Sequence, residues 1–154
     1  MPENLVIADT SCLIFLTKID ELNILRANYS RIIITPEIAK EYTREIPEWI
    51  EIISVKNKSL QLVLEESLDR GESTALALSF EIKDATVILD DLKARKVAGK
   101  LGITITGTIG VIVKAKLRGT IPSAKNILLK ISDTDFRISS KTIDEAIKQA
   151  GESP

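Results

Sequence analysis

Three short stretches of this chain are apolar without interruption: Leu5-Val6-Ile7-Ala8, Ile32-Ile33-Ile34 behind Arg31, and Thr86-Val87-Ile88-Leu89. A strand with one solvated face alternates apolar and polar residues, so runs that do not alternate belong to strands covered on both faces, the habit of parallel sheets. The segments between them carry helix punctuation. Thr35-Pro36 offers an N-cap followed by proline at the first helical position and predicts a helix over residues 37–46. A helical pattern over 60–68 is followed by Asp69-Arg70-Gly71-Glu72, which has the form of a capping box and restarts a helix through Leu78. The helix over 92–101 closes at Gly102, Gly107 opens one reaching residue 117, Pro122 begins the next, and Ser140 caps the last. Ile103-Thr104-Ile105 reads as a fourth strand, residues 49–55 as an edge strand or irregular segment, and Phe136-Arg137-Ile138-Ser139 as a short final strand. Strands alternating with helices imply an α/β fold, its mostly parallel sheet of about five strands flanked by helices. With 154 residues there is chain for one domain, expected over 1–150, with 151–154 as a frayed tail.

In such a sheet the ligand crevice lies outside the carboxyl ends of the strands. Asp9 directly follows the first apolar run and Asp90-Asp91 follows the third, so the architecture sends them to one edge. Thr10 and Ser11 bring hydroxyls to the same helix start. Taken singly, each aspartate is also an ordinary N-cap. Glu41 follows Glu37 by one turn, a like-charge spacing that costs a helix a few tenths of a kcal/mol, by rough estimate, unless a cation compensates or the face is simply solvated. Glu72 is either the far half of the capping box or a further acid aimed at the crevice.

The chain contains no histidine and one cysteine, Cys12, inside an apolar run where core packing is its expected role. That removes His-based nucleophilic systems and imidazole zinc sites, leaving hydrolysis to carboxylates. Carboxylates gathered within a few ångströms do not all stay ionised without a dication, and oxygen-only donors select Mg²⁺ or Mn²⁺. A net charge of −1 conceals an uneven distribution: residues 92–132 hold nine Lys or Arg and no Asp or Glu. Lys93, Lys96 and Lys100 share one helical face, with Arg95 off it, and Lys114 and Arg118 stand one turn apart on the next helix. These charges form either a solvated face or a phosphate-binding flank. No window approaches 18 apolar residues and no basic-then-apolar leader is present, so a cytoplasmic protein without a membrane span is expected.

These residues carry a resemblance. Asp9-Thr10-Ser11 after the first strand, Glu41 in the helix after the second, Gly71-Glu72 opening a mid-chain helix, and Ile88-Leu89-Asp90-Asp91 with Arg95 downstream look like the acidic quartet of PIN domains. The likeness continues through Gly107-Thr108-Ile109-Gly110-Val111 and Ala115-Lys116-Leu117-Arg118-Gly119, and it is nearest to a prokaryotic branch related to VapC-type toxin ribonucleases. It implies a PIN-like three-layer fold and Mg²⁺- or Mn²⁺-dependent endonuclease cleavage of RNA. It further implies a homodimer, inhibition by a small antitoxin protein, catalysis by Asp9, Glu41, Glu72 and Asp90, and metal ligation by these four with Asp91. Thr10, Ser11, Lys93, Arg95 and Thr108 would face the substrate. VapC-like members usually carry Thr/Ser-x-Asp where this chain has Leu89-Asp90-Asp91, which leaves Asp90 and Asp91 as alternative ligands, and their third acid is more often Asp than Glu.

Two other classes compete. A catalytically silent PIN-like module would keep the fold and bind RNA or protein. A Mg²⁺-binding receiver domain also uses a parallel sheet, but wants its acidic pair at the first strand, whereas here the pair is Asp90-Asp91. The glycine spacing of Gly102 and Gly107 imitates a phosphate loop but lacks the lysine.

Overall fold

The computed structural model describes residues 4–132 and 138–153. Its strands are β1 (Leu5–Ala8), β2 (Arg31–Ile34), β3 (Ile50–Ile52), β4 (Thr86–Ile88) and β5 (Ile105–Thr106), and its sheet runs β3-β2-β1-β4-β5. Every pairing is parallel, with Ile7 opposite Ile33 on one side and Val87 on the other. The central runs are buried throughout, as their lack of alternation requires.

The described helices are α1 (Thr10–Lys18), α2 (Asn23–Asn28), α3 (Pro36–Tyr42), α4 (Lys58–Glu65), α5 (Arg70–Ser79), α6 (Leu92–Lys100), α7 (Thr108–Leu117), α8 (Ala124–Ser132) and α9 (Ser140–Gln149). They fall into two packed groups: α1 packs on α3, α3 on α5 and α5 on α4, while α2, α8 and α9 gather on α7. With α5 against β1 and β4, and α2 against β2, the sheet is the middle layer of a three-layer α/β fold. Because the chain steps outward from β1 through β2 to β3 and then crosses back to β4 on the other side of β1, the strand order reverses between β1 and β4 and the crevice opens beyond their carboxyl ends.

Several local expectations need correction. The helix after β2 ends at Tyr42 rather than residue 46, because Thr43 takes a left-handed φ of 62° and its N–H returns to Ala39 O. The fourth apolar run pairs at Ile105 and Thr106, two residues later than its centre suggests, so that Ile88 lies opposite Thr106. Ser139, not Ser140, caps the last helix, its side chain accepting the Thr142 N–H. Phe136 and Arg137 of the expected final strand lie outside the described residues, and Ile138 and Ser139 are not in a strand.

Candidate active site

Asp9 ends β1 and caps α1. Its N–H donates to Ile88 O at 3.3 Å, which ties the first and fourth strands together at their carboxyl ends. Its carboxylate accepts the Thr10 N–H at 2.8 Å, and the residue is only 3% exposed. The Thr10 hydroxyl donates to Glu41 Oε1 at 2.6 Å, drawing α3 to the start of α1. Deeper, Thr35 at the head of α3 and Thr74 in α5 are both fully buried and hydrogen-bonded at 2.8 Å, which holds the first turns of α3 and α5 side by side. Glu72 enters from α5, where the capping box is complete: Asp69 Oδ1 accepts the Glu72 N–H at 2.8 Å and Glu72 Oε1 accepts the Asp69 N–H at 3.3 Å.

This corner is electrostatically loaded. Burial pushes the Asp9 carboxyl up to about 8 against the opposing Thr10 N–H, and Glu72, Asp69 and Glu41 push it further in the same direction. Glu72 rises to about 7, first through burial and then through the charges of Asp69 and Asp91. Asp69 is therefore a member of the acidic cluster that sequence reasoning treated only as a cap. Its position three residues before Glu72 was the available signal. One turn before Glu41, Glu37 Oε1 is buried without a hydrogen-bond partner among the described residues.

On the other side, both oxygens of Asp90 are hydrogen-bonded. Its Oδ1 accepts the Thr108 N–H at 2.8 Å and its Oδ2 accepts the fully buried Thr108 hydroxyl. Gly107, the N-cap of α7, has no side chain to cap with, so Asp90 caps that helix from 18 residues away. Asp91 caps α6 by accepting the Ala94 N–H at 2.9 Å, and it is exposed. Arg95 folds back onto the strand end, Nη1 donating to Leu89 O at 2.8 Å. Beneath both sides lies Cys12, fully buried, its thiol pushed up by burial and by Asp90: a core residue, as its apolar run suggests.

The structure thus brings Asp9, Thr10, Glu41, Glu72, Asp90, Asp91, Arg95 and Thr108 to one edge of the sheet. Ser11 and Lys93 are exposed on the first turns of α1 and α6. Lys114 and Arg118 are different. They occupy the far end of α7, where the Lys114 amine stands 5.1 Å from the centre of the Tyr29 ring and Arg118 Nη1 donates to Asn28 O at 2.7 Å. They pin α7 to α2.

The donors around the crevice are carboxylate and hydroxyl oxygens, which suit a hard divalent cation in kind, and their mutual repulsion is what such an ion would relieve. Among the described residues, no three acidic side chains converge closely enough to enclose an ion. The donor set fits; the shell stands open.

No helix among the described residues is long and apolar enough to cross a membrane. No curated protein matches the chain. A family model described as PIN domain matches residues 5–152. PIN domains are a nuclease fold family that acts on nucleic acid, generally with divalent metals. With the match spanning the whole sheet and every acid of the crevice, the chain belongs to the PIN domain family.

Proposed function

We propose that this chain is a metal-dependent endoribonuclease that hydrolyses RNA phosphodiester bonds with Mg²⁺ or Mn²⁺ held by Asp9, Glu41, Glu72 and one member of the Asp90-Asp91 pair. The observation that carries the reading is the acidic corner itself: two carboxyls raised to about 8 and about 7, at the edge where an open parallel sheet binds ligands. Within the pair, Asp91 is the better ligand. Both oxygens of Asp90 are engaged by Thr108, whereas the charge of Asp91 reaches Glu72. Held by these residues, a divalent cation would supply Lewis acidity and lower the pKa of a coordinated water.

The protein's own residues do the rest. Asp9, committed to Thr10 on one oxygen, offers the other from a fixed position. Glu72, whose proton burial and the neighbouring acids hold on to about 7 without metal, would give it up to take a cation. Exposed Lys93, on the first turn of α6, meets the phosphate backbone, and Arg95, braced on Leu89 O, presents its remaining N–H groups beside Asp90. Ser11 and Thr10 line the opposite wall. In this reading the protein works in the cytoplasm as a homodimer, as the toxin of a pair whose small antitoxin blocks the crevice. Incubation of purified protein with a short single-stranded RNA tests the catalytic core of the reading. Cleavage should require added Mn²⁺ or Mg²⁺, stop with chelator, and vanish in Asp9→Asn; equal cleavage by the variant would refute it.

A second reading has an observation of its own. The open shell among the described residues and the engagement of both Asp90 oxygens by Thr108 suit a catalytically silent module that keeps the PIN fold and binds RNA or protein. RNA retention without cleavage under any divalent ion would select it.

A further inference from the structure

Glu41 reaches the crevice through space that belongs to a missing side chain. Gly71 is the second residue of α5 and is buried. A Cβ placed on it would stand 3.0 Å from Glu41 Cδ and 3.2 Å from Thr10 Oγ1, and would collide outright with Glu41 Oε1, the atom that accepts the Thr10 hydroxyl. The backbone does not ask for glycine: Gly71 is not among the positive-φ residues, and it lies in a helical turn where alanine is the better former. What position 71 requires is the absence of a methyl group. Gly99, in α6, is the opposite case, a helical glycine whose Cβ would meet nothing within 4 Å.

We propose that Gly71 is a positioning residue for Glu41. Its missing side chain is the slot through which the carboxylate reaches Thr10 and brings its charge to bear on Asp9. The obstacle a methyl group meets is the far end of a flexible, exposed side chain, so the protein has an easy escape: Glu41 swings out to solvent, the Thr10 hydrogen bond is lost, and the fold survives. Gly71→Ala therefore separates positioning from stability. A structural glycine would lower the melting temperature when replaced; this one, sitting in a helix, should leave it equal or raise it, as Gly99→Ala should.

The inference rests on the metal-dependent reading for its consequence but not for its geometry, and the test keeps the two apart. In protein labelled with ¹³C at the glutamate carboxyl, the Glu41 resonance should move in Gly71→Ala and stay in Gly99→Ala. By calorimetry, Mn²⁺ affinity should fall in Gly71→Ala by about 10- to 100-fold, the range for losing a group that orients a ligand. The double variant Gly71→Ala/Glu41→Gln should bind no more weakly than Glu41→Gln alone, because the glycine acts only through Glu41. An unmoved Glu41 resonance, wild-type affinity in Gly71→Ala, or fully additive losses would each overturn the assignment. Should wild-type protein take up no Mn²⁺, the nuclease reading falls, while the resonance still decides whether Gly71 sets the position of Glu41.

Discussion

The two walls of the crevice treat their carboxylates in opposite ways. Around Asp9 the acids face one another: burial and the neighbouring Glu72, Asp69 and Glu41 hold its proton on to about 8, and a single backbone N–H opposes them. Around Asp90 the acid faces donors, with the Thr108 amide and hydroxyl taking both oxygens and the carboxylate stapling β4 to the head of α7. One wall stores unfavourable electrostatics that a cation would release; the other spends its charge on architecture. Sites that bind ions are expected to look like the first, because a carboxylate already satisfied by protein gains least from a metal.

Crossed substitutions should break this symmetry most visibly. Asp9→Asn and Asp91→Asn should each weaken Mn²⁺ binding by about 100-fold or more, beyond the usual cost of losing a ligand's support. Thr108→Val should leave affinity within about threefold. Calorimetry on the three proteins checks this, and a large loss in Thr108→Val would move Asp90 into the ligand set. Stability should reverse the order. Thr108→Val removes a buried hydroxyl donating to a charged acceptor, a loss of about 2 kcal/mol, or about 4–8 °C in melting temperature for a chain of this size. Glu41→Gln keeps an acceptor for the Thr10 hydroxyl while removing a charge, so metal-free protein should melt at the wild-type temperature or above. A drop of several degrees would make Glu41 structural.

The pH dependence sharpens the same contrast. The Asp9 and Glu72 carboxyls are raised on folding, from 3.8 to about 8 and from 4.5 to about 7, so the folded state binds the extra protons between these limits. Their contribution is fully present below the unfolded values near 4 and is lost as pH rises through 7 and 8. Without metal, wild-type melting temperature should therefore fall relative to that of Asp9→Asn, which cannot ionise, by on the order of 10 °C between pH 5 and pH 9. A constant difference across that range would mean that Asp9 ionises as an ordinary carboxylate. Smallest of all should be the effect of Lys93, exposed at the crevice rim. Lys93→Ala should reduce the salt slope of RNA binding by about one, with metal affinity unchanged. An unaltered slope would leave that lysine as a solvated charge.

Much of this arrangement is legible in the sequence, for reasons that also mark where legibility stops. Buried parallel strands announce themselves by runs without alternation, and a residue directly after such a run has one place to go, so Asp9, Asp90 and Asp91 could be put on one edge without coordinates. Helix α2 was not foreseen: it is six residues long and its N-cap Leu22 makes no side-chain hydrogen bond, so it carries no punctuation. The end of α3 was missed because Thr43, rather than glycine or asparagine, takes the left-handed turn. Periodicity correctly put Lys114 and Arg118 on one face, but a face says nothing about which end of a helix meets the crevice, and theirs is the far one. Asp69 was hidden by an adequate local explanation, since a residue that caps a helix does not look available for anything else. The space at Gly71 is defined by Glu41, 30 residues away, and no local pattern reports what another segment needs to be absent.

The central claim is that the Asp9 wall, joined by Asp91, receives the cation while Asp90 stays on Thr108. A crystal of the metal-free protein soaked in Mn²⁺ and measured for anomalous scattering tests it directly. The account predicts one strong peak or two within ligand distance of Asp9 and Asp91, with Glu41 or Glu72 drawn in and both Thr108–Asp90 hydrogen bonds intact. A peak that displaces Thr108 from Asp90, or none in the crevice at a saturating Mn²⁺ concentration, would contradict it.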